Sequence, residues 1–228
     1  MPAFASYVQC MTAGSASERG AGLDGLRSTL GDAGLPEESH LAIVREPGLL
    51  AALNPFLSGD RSLTALKVLF FLGRVFSPSA ALCKSAVFDS ECFPSVKAIA
   101  ATGSTTELKQ QAWAVIRSMA AGLGENHRTK EFIDSPGFVA LLQSHLNTSD
   151  SGIAASTAFT INSLCRDKPN ASAVLDNYPD LVQTLVNTFS TSGVGPKFNG
   201  KLQLTSLAPP PRLLNSLTTL FLPPQLDA

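Results

Sequence analysis

The residues that could ligate a metal or attack a substrate stand apart along the chain. His40, His127 and His145 have no second ligand at the spacing of an HExxH or Cys-x-x-Cys zinc motif. Neither a Gly-x-Ser-x-Gly nucleophile motif nor a phosphate-binding Gly-x4-Gly-Lys-Ser/Thr loop is present. Gly122 and Gly124 follow a predicted helix rather than a strand, which indicates a helix end and not a dinucleotide loop. We therefore expect no enzyme activity, no metal site and no cofactor.

Three other residues are of types suited to binding a partner. Trp113 and Arg117 lie four residues apart on a predicted helix, outside its apolar stripe, and Asn162 lies in a later helix. Trp and Arg are enriched at binding hot spots. Our hypothesis is that Trp113, Arg117 and Asn162 contact a protein segment, and Arg117 would favour a neutral or acidic segment over a basic one. The alternative for Trp113 is that it packs between helices.

The cysteines and the hydrophobic segments indicate where in the cell the protein is located. Cys10, Cys83, Cys92 and Cys165 form no CxxC pair and no framework typical of disulfides, which favours reduced thiols inside a cell. The first residues lack the basic stretch and apolar run of a secretion signal. The most apolar run, 63–76, is shorter than the roughly 20 residues of a membrane span, so we interpret it as a buried helix. The prediction is a cytoplasmic protein that is not secreted and does not span a membrane.

The charge balance excludes some partners. The 228 residues carry 17 Lys and Arg against 18 Asp and Glu, a net charge of −1. A nucleic-acid or polybasic membrane binder needs a clustered excess of positive charge, so we expect neither partner. Charged residues make up only 15% of the chain, against about 25% in an average soluble protein. An elongated molecule with so few charges is expected to bury part of its surface in a larger assembly.

The elements that position these residues recur along the chain. Leu72, Ile116, Ile161 and Leu204 occupy equivalent places in four similar segments, at spacings of 44, 45 and 43 residues. A second marker, a break followed by an apolar run, has the same spacings and starts at Pro47, Glu91, Pro136 and Pro179. A repeat of about 44 residues is typical of a stacked helical array.

Each repeat has helical periodicity. Ser104 and Glu107 form a capping-box pattern, and the apolar residues that follow recur at i, i+4, i+7, i+8 and i+11. We predict further helices over roughly 126–133, 138–146 and 153–165. One repeat is therefore a short helix, a middle helix after a break, and a longer third helix, with no sheet.

The segments Lys109–Leu146 and Ile153–Val186 resemble armadillo repeats. The resemblance implies an all-α, armadillo-like α-solenoid with a right-handed superhelix whose third helices line the concave face. Nuclear-import receptors of this family bind an extended basic peptide with a Trp and an Asn that lie four residues apart on the third helix of each repeat. In this chain Trp113 holds the first of these positions in one repeat, and Asn162 holds the second in the next repeat. This chain keeps each residue only once, and Arg117 would repel such a peptide, which argues against import-receptor activity.

The domain prediction follows from the repeat. Residues 1–20 are small and polar and are expected to be loosely ordered, and residues 21–228 form the repeat domain. Its units span about 37–76, 77–120, 121–165 and 166–208. Leu23, Leu26 and Leu30 suggest an N-terminal capping helix, and 209–228 form a C-terminal cap.

The predicted function is a non-catalytic scaffold or adaptor that binds a protein partner. The partner would contribute an extended peptide to the concave face or belong to a large complex. The alternative comes from a second resemblance: Ala158–Asn177 is similar to armadillo-type nucleotide-exchange factors of heat-shock protein 70. That resemblance implies a chaperone cofactor.

Overall fold

The computed structural model describes residues 4–32, 35–73, 78–123, 128–164, 179–181 and 183. Throughout these ranges the regular structure is helical, and they contain no strand. The helices are α1 (Phe4–Ala13), α2 (Ala16–Gly31), α3 (Glu37–Val44), α4 (Leu49–Leu53), α5 (Ser62–Gly73), α6 (Pro78–Phe88), α7 (Cys92–Thr102), α8 (Thr106–Leu123), α9 (Thr129–Ile133), α10 (Phe138–Leu146) and α11 (Ser151–Leu164). A 3₁₀ segment, Asn54–Ser58, continues from α4. The all-α prediction is confirmed.

The helices stack in rows, as expected for a solenoid. The long helices α2, α5, α8 and α11 pack side by side in chain order. Helix α3 contacts α6, and α4 contacts α7, so the shorter helices form rows of their own. Helix α8 also packs on α6 and α7, which lie in its own unit. Each unit therefore buries its apolar surface partly against itself and partly against its neighbours, since three helices alone cannot enclose a core.

The repeated apolar positions form the core. Leu72 and Ile116 are fully buried and Ile161 is 4% exposed, as the first marker predicts. The second marker places one buried residue at the start of each middle helix, and these residues are Leu49, Phe93, Phe138 and Leu181. Leu204 and the predicted C-terminal cap lie outside the described residues. The period of about 44 residues is thus a period of core contacts.

The N-terminal segment differs from the prediction. We expected residues 1–20 to be loosely ordered, but α1 and the start of α2 occupy 4–20, with Phe4 and Met11 buried. Ser15 and Glu18 form a complete capping box that begins α2. Close contact between α1 and α2 is possible because Gly22 has no side chain, and a Cβ there would lie 2.8 Å from the Cβ of Cys10. Small residues here allow close packing of helices rather than disorder.

The predicted capping helix at the N-terminal end is α2, in which Leu23, Leu26 and Leu30 are buried. It occupies the place of a third helix next to α5. Arg61, just before α5, pairs with Asp24 of α2 at 2.6 Å. The stack therefore continues through α2.

Helix α8 begins one residue later than the capping pattern predicts, and α11 begins two residues earlier than the predicted start at 153. Helix α8 starts at Thr106, and the Oγ1 of Thr105, not the hydroxyl of Ser104, accepts a hydrogen bond from the amide of Leu108 at 3.2 Å. Asp150 caps α11 in the same way and accepts from the amides of Gly152 and Ile153. Thr105 and Asp150 are 45 residues apart, so the helix start is itself part of the repeat. Both caps satisfy amides that have no partner inside the helix.

Two of the middle helices begin after a left-handed turn. Gly48 and Gly137 have φ values of 80° and 74° and directly precede α4 and α10. Glycine adopts this conformation without the steric penalty that other residues incur. The Pro-Gly pairs of the sequence therefore mark equivalent turns that set the direction of the middle helix.

Polar contacts join successive units at their edges. The Oγ of Ser95 on α7 donates to the Oδ1 of Asn54 at 2.8 Å. Arg128 forms two hydrogen bonds with Asp89 at 2.9 and 2.6 Å, and its guanidinium lies over the ring of Phe88. These contacts fix neighbouring units without using the outer side of the third helices. Among the helices described, none is both long enough and apolar enough to cross a bilayer.

Candidate functional site

The third helices expose a common side at equivalent repeat positions. Phe70, Ala114 and Phe159 follow one another at 44 and 45 residues, and all three are partly exposed. The buried side of α8 contains Ala112, Trp113, Val115, Ile116, Met119 and Ala120. We call the outer side of α5, α8 and α11, which carries Lys67, Phe70, Ala114, Arg117 and Phe159, the third-helix face. It runs across three successive units because the helices that carry it are packed side by side.

Arg117 is held by an aromatic ring of the next unit. Its guanidinium carbon lies 5.3 Å from the centre of the Phe159 ring, within the range of a cation–π contact. Within the described part of the chain, no carboxylate lies at ion-pair distance from Arg117. The ring restrains the guanidinium while its N–H donors remain available. Such an arrangement can recognise a carboxylate or a backbone carbonyl.

The three helices of the face together carry more positive than negative side chains. Their sequences contain Lys67, Lys109 and Arg117 but one acidic residue, Glu107, in the first turn of α8. Helix α11 contains no charged residue. Lys67 is partly buried and, like Arg117, pairs with no carboxylate of the described ranges. The chain as a whole has a net charge of −1, so these three helices are more positive than the chain on average.

Trp113 lies in the core. We expected it outside the apolar stripe of its helix, and that expectation is wrong, because its side chain is 0% exposed. Helix α8 is enclosed by α5 and α11 on its two sides and by α6 and α7 of its own unit. The buried arc is therefore wider than a single stripe and includes position 113. This burial agrees with the alternative that Trp113 packs between helices.

His145 on α10 packs against Trp113. The two ring centres are 5.4 Å apart with a tilt of 58°. The Nδ1 of His145 lies 3.0 Å from the carbonyl oxygen of Leu141 on the same helix. His145 is thus a residue at the core edge that helps to cover the indole. No group of three or more metal-ligating side chains occurs among the described residues.

Asn162 belongs to α11 and occupies the repeat position of Arg117, 45 residues later. Its side chain is outside what the structure describes. The structure places Arg117 on the third-helix face and assigns Trp113 to the core behind it. A role of Arg117 and Asn162 in partner binding stays a prediction.

Sequence reasoning missed Phe70, Phe159 and Lys67. The signal that could have found them is the alignment of the third helices on their buried positions. The buried residues Leu72, Ile116 and Ile161 align with one another. The position two residues before each of them is partly exposed, and it holds Phe70, Ala114 and Phe159 in turn. The predicted site is centred on Trp113, which is one position before Ala114. A shift of one residue turns a helical position by about 100°, which separates face from core.

The cysteines in the described ranges differ in exposure. Cys10 on α1 is exposed, whereas Cys83 and Cys92 are buried. The thiol of Cys92 lies 3.2 Å from the carbonyl oxygen of Leu50 and donates to it. Burial raises the pKa of Cys92 to about 11, since a thiolate would lose its solvation. A thiol held neutral in this way is a poor nucleophile. Cys165 is not among the described residues.

Comparison with solved structures relates the fold of the chain to engineered proteins, one of which is a designed armadillo repeat protein. No protein-family profile matches the chain, and no curated protein is significantly similar to it in sequence. An engineered protein from a structural genomics consortium superimposes with a TM-score of 0.66 at 18% identity, over 84% of this chain and 74% of that one. A second engineered protein from the same source gives 0.65 at 15% identity, over 83% and 74%.

A computationally designed armadillo repeat protein for modular peptide recognition gives a TM-score of 0.61 at 14% identity. That match covers 81% of this chain and 79% of the designed protein. At these identities the likeness concerns the fold alone. The chain has the all-α solenoid fold that the repeats predicted, and this solenoid is armadillo-like, as the resemblance implied.

Proposed function

We propose that this armadillo-like solenoid is a non-catalytic scaffold or adaptor that binds an extended segment of a partner protein along the third-helix face. The observation that carries the proposal is the position of Arg117 over Phe159. Both side chains are partly exposed, they come from successive units, and no carboxylate of the described residues neutralises the guanidinium.

The spacing of the face suits an extended chain. Packed helices lie roughly 8–10 Å apart, and an extended segment advances about 3.3 Å per residue. One unit therefore corresponds to about three residues of ligand. A segment that crosses α5, α8 and α11 would meet a similar position at each unit, with Arg117 and Asn162 as candidates for hydrogen bonds to its backbone. The designed armadillo repeat protein was made for modular peptide recognition, which supports this reading.

A substitution at the centre of the face tests the proposal. Ala114 lies between the two Phe positions and is partly exposed. The wild-type chain would be panned against a phage-displayed library of random 12-residue peptides, and the selected peptides measured by fluorescence anisotropy. Ala114→Gln should weaken their binding by about tenfold or more, because its side chain would occupy the path of the ligand without a change of charge. The matched control is Ala98→Gln on α7, where Ala98 is exposed in the row of middle helices.

Two results would count against the proposal. One is a failure of the library to yield any peptide that binds in solution. The other is equal weakening by Ala114→Gln and Ala98→Gln, which would place the binding surface elsewhere. Acceleration of nucleotide release from a heat-shock protein 70 ATPase domain would favour the alternative, an exchange factor.

A further inference from the structure

We infer that the segment bound by the third-helix face is acidic and carries two aromatic or large apolar residues about six positions apart. This inference rests on the proposed function and adds the chemistry of the ligand. It depends on three features of the face: the positions of its two phenylalanine rings, the small side chain of Ala114 between them, and its positive charge.

The rings occupy alternate units. Phe70 belongs to α5 and Phe159 to α11, while the equivalent position on α8 is Ala114. The rings are therefore two helix spacings apart, roughly 20 Å. At about 3.3 Å per residue an extended segment covers that distance in about six residues. Apolar anchors at i and i+6 would each meet a ring, and the small side chain of Ala114 leaves room for the segment between them.

Two positively charged side chains lie beside the row formed by Phe70, Ala114 and Phe159. Lys67 lies one turn before Phe70 on α5, and Arg117 lies one turn after Ala114 on α8. Neither has an acidic partner in the described part of the chain. Glu107 is the one acidic residue of the three helices, and it lies ten positions before Arg117, roughly 15 Å along the helix. Complementary charge selects partners and raises association rates. A carboxylate between the two anchors would fall near Arg117, and one close to the first anchor would fall near Lys67.

Synthetic peptides separate the parts of this inference. The probe is a fluorescein-labelled peptide with Phe at positions 1 and 7, Glu at positions 3 and 5, and Ser elsewhere. Three matched peptides replace both Glu by Lys, replace both Phe by Ala, or place the two Phe three residues apart. We expect the probe to bind at least about tenfold more tightly than each of them, measured by anisotropy at low ionic strength. An unlabelled single-stranded oligonucleotide of twelve thymidines is a further competitor, because cations and rings also suit nucleic acid.

Protein variants assign the binding to the face. Arg117→Gln and Lys67→Gln should weaken binding of the acidic probe and make that binding less dependent on salt concentration. Binding of the Lys-containing peptide should be unchanged or tighter. Phe159→Ala should weaken the binding of every peptide that contains Phe. The control is Lys130→Gln on α9, whose side chain is 80% exposed and lies outside the row of third helices.

The outcomes distinguish this inference from the proposed function. If the phage selection yields peptides that depend on Ala114 but are basic, or lack paired apolar residues at this spacing, the ligand chemistry inferred here is wrong and the scaffold function stands. If the oligonucleotide displaces the probe with higher affinity, a nucleic-acid ligand replaces the acidic segment. If no peptide binds, both proposals fail.

Discussion

At the residue scale, Trp113 is the largest fully buried side chain of the described core, and its polar group has no acceptor there. Its side chain is fully buried, and its Nε1 has no hydrogen-bond partner among the described residues. Burying the indole is strongly favourable, whereas burying an N–H without an acceptor costs about 1–3 kcal/mol. The net effect remains stabilising because the ring fills the space beside His145.

We therefore expect Trp113→Ala to lower the free energy of unfolding by about 3–5 kcal/mol, as other large-to-Ala changes in cores do. Trp113→Phe should cost less than Trp113→Ala, because it keeps an aromatic ring and removes the N–H that has no acceptor. Urea unfolding followed by circular dichroism measures both changes. If Trp113→Ala left the stability nearly unchanged and strongly reduced peptide binding, Trp113 would be a residue of the binding surface and not of the core.

Cys92 gives a dependence on pH at the same scale. In the unfolded chain a thiol ionises near pH 8.5, but in the folded protein burial raises the pKa of Cys92 to about 11. The folded state therefore holds the proton more tightly, so the contribution of Cys92 to stability is complete below about pH 8.5 and decreases as pH rises toward 11. The free-energy difference between wild type and Cys92→Ala should be larger at pH 8 than at pH 10. Equal differences at the two pH values would mean that the thiol is not buried as described.

At the scale of the element, the left-handed turns decide where the middle helices point. Gly48 and Gly137 have similar φ values and precede buried residues of the same repeat position, Leu49 and Phe138. A Cβ at Gly137 would meet no atom within 4 Å. Any penalty for a side chain there comes from the backbone conformation and not from a clash.

Gly137→Ala should therefore destabilise the protein by about 1–2 kcal/mol, the penalty of the left-handed region for a residue with a Cβ. Gly137→Asn should cost less, since Asn tolerates this conformation better than Ala does. Gly59→Ala is the control, because Gly59 is exposed, has φ of −120° and has open space around it. Thermal unfolding compares the three variants. Equal losses for Ala and Asn at position 137 would contradict a conformational origin.

At the scale of the whole molecule, stability is expected to depend on contacts between adjacent units. Helix α8 lies between α5 and α11 in the third-helix row, and its core residue Ile116 is fully buried. Ile116→Ala should cost about 2–5 kcal/mol. Leu72→Ala and Ile161→Ala act on helices separated by α8, so their costs should add within about 0.5 kcal/mol. Denaturant unfolding of the single and double variants checks this, and strong non-additivity would indicate coupling beyond nearest neighbours.

The same scale shows how far the sequence predicts the molecule. The period of about 44 residues, the core positions Leu72, Ile116 and Ile161, and the helix 138–146 follow from local patterns, because each depends on apolar spacing and turn residues. The burial of Trp113 does not follow from a local pattern, because the width of the buried arc of α8 depends on how many helices surround it. The order of residues 4–20 was missed for a similar reason. Small residues indicate flexibility when taken alone, but in α1 and α2 they allow close packing.

The burial of Trp113 makes the chain its own optical probe. It is the single tryptophan of the sequence, and it lies where α8 of one unit meets α10 of the next. Emission from an indole shifts to longer wavelength when water reaches it, so fluorescence will follow the opening of this central junction. Far-ultraviolet dichroism averages over all helices and includes fraying at either end. A comparison of the two signals during unfolding will show, without any added label, whether the array opens from its ends or separates at its middle.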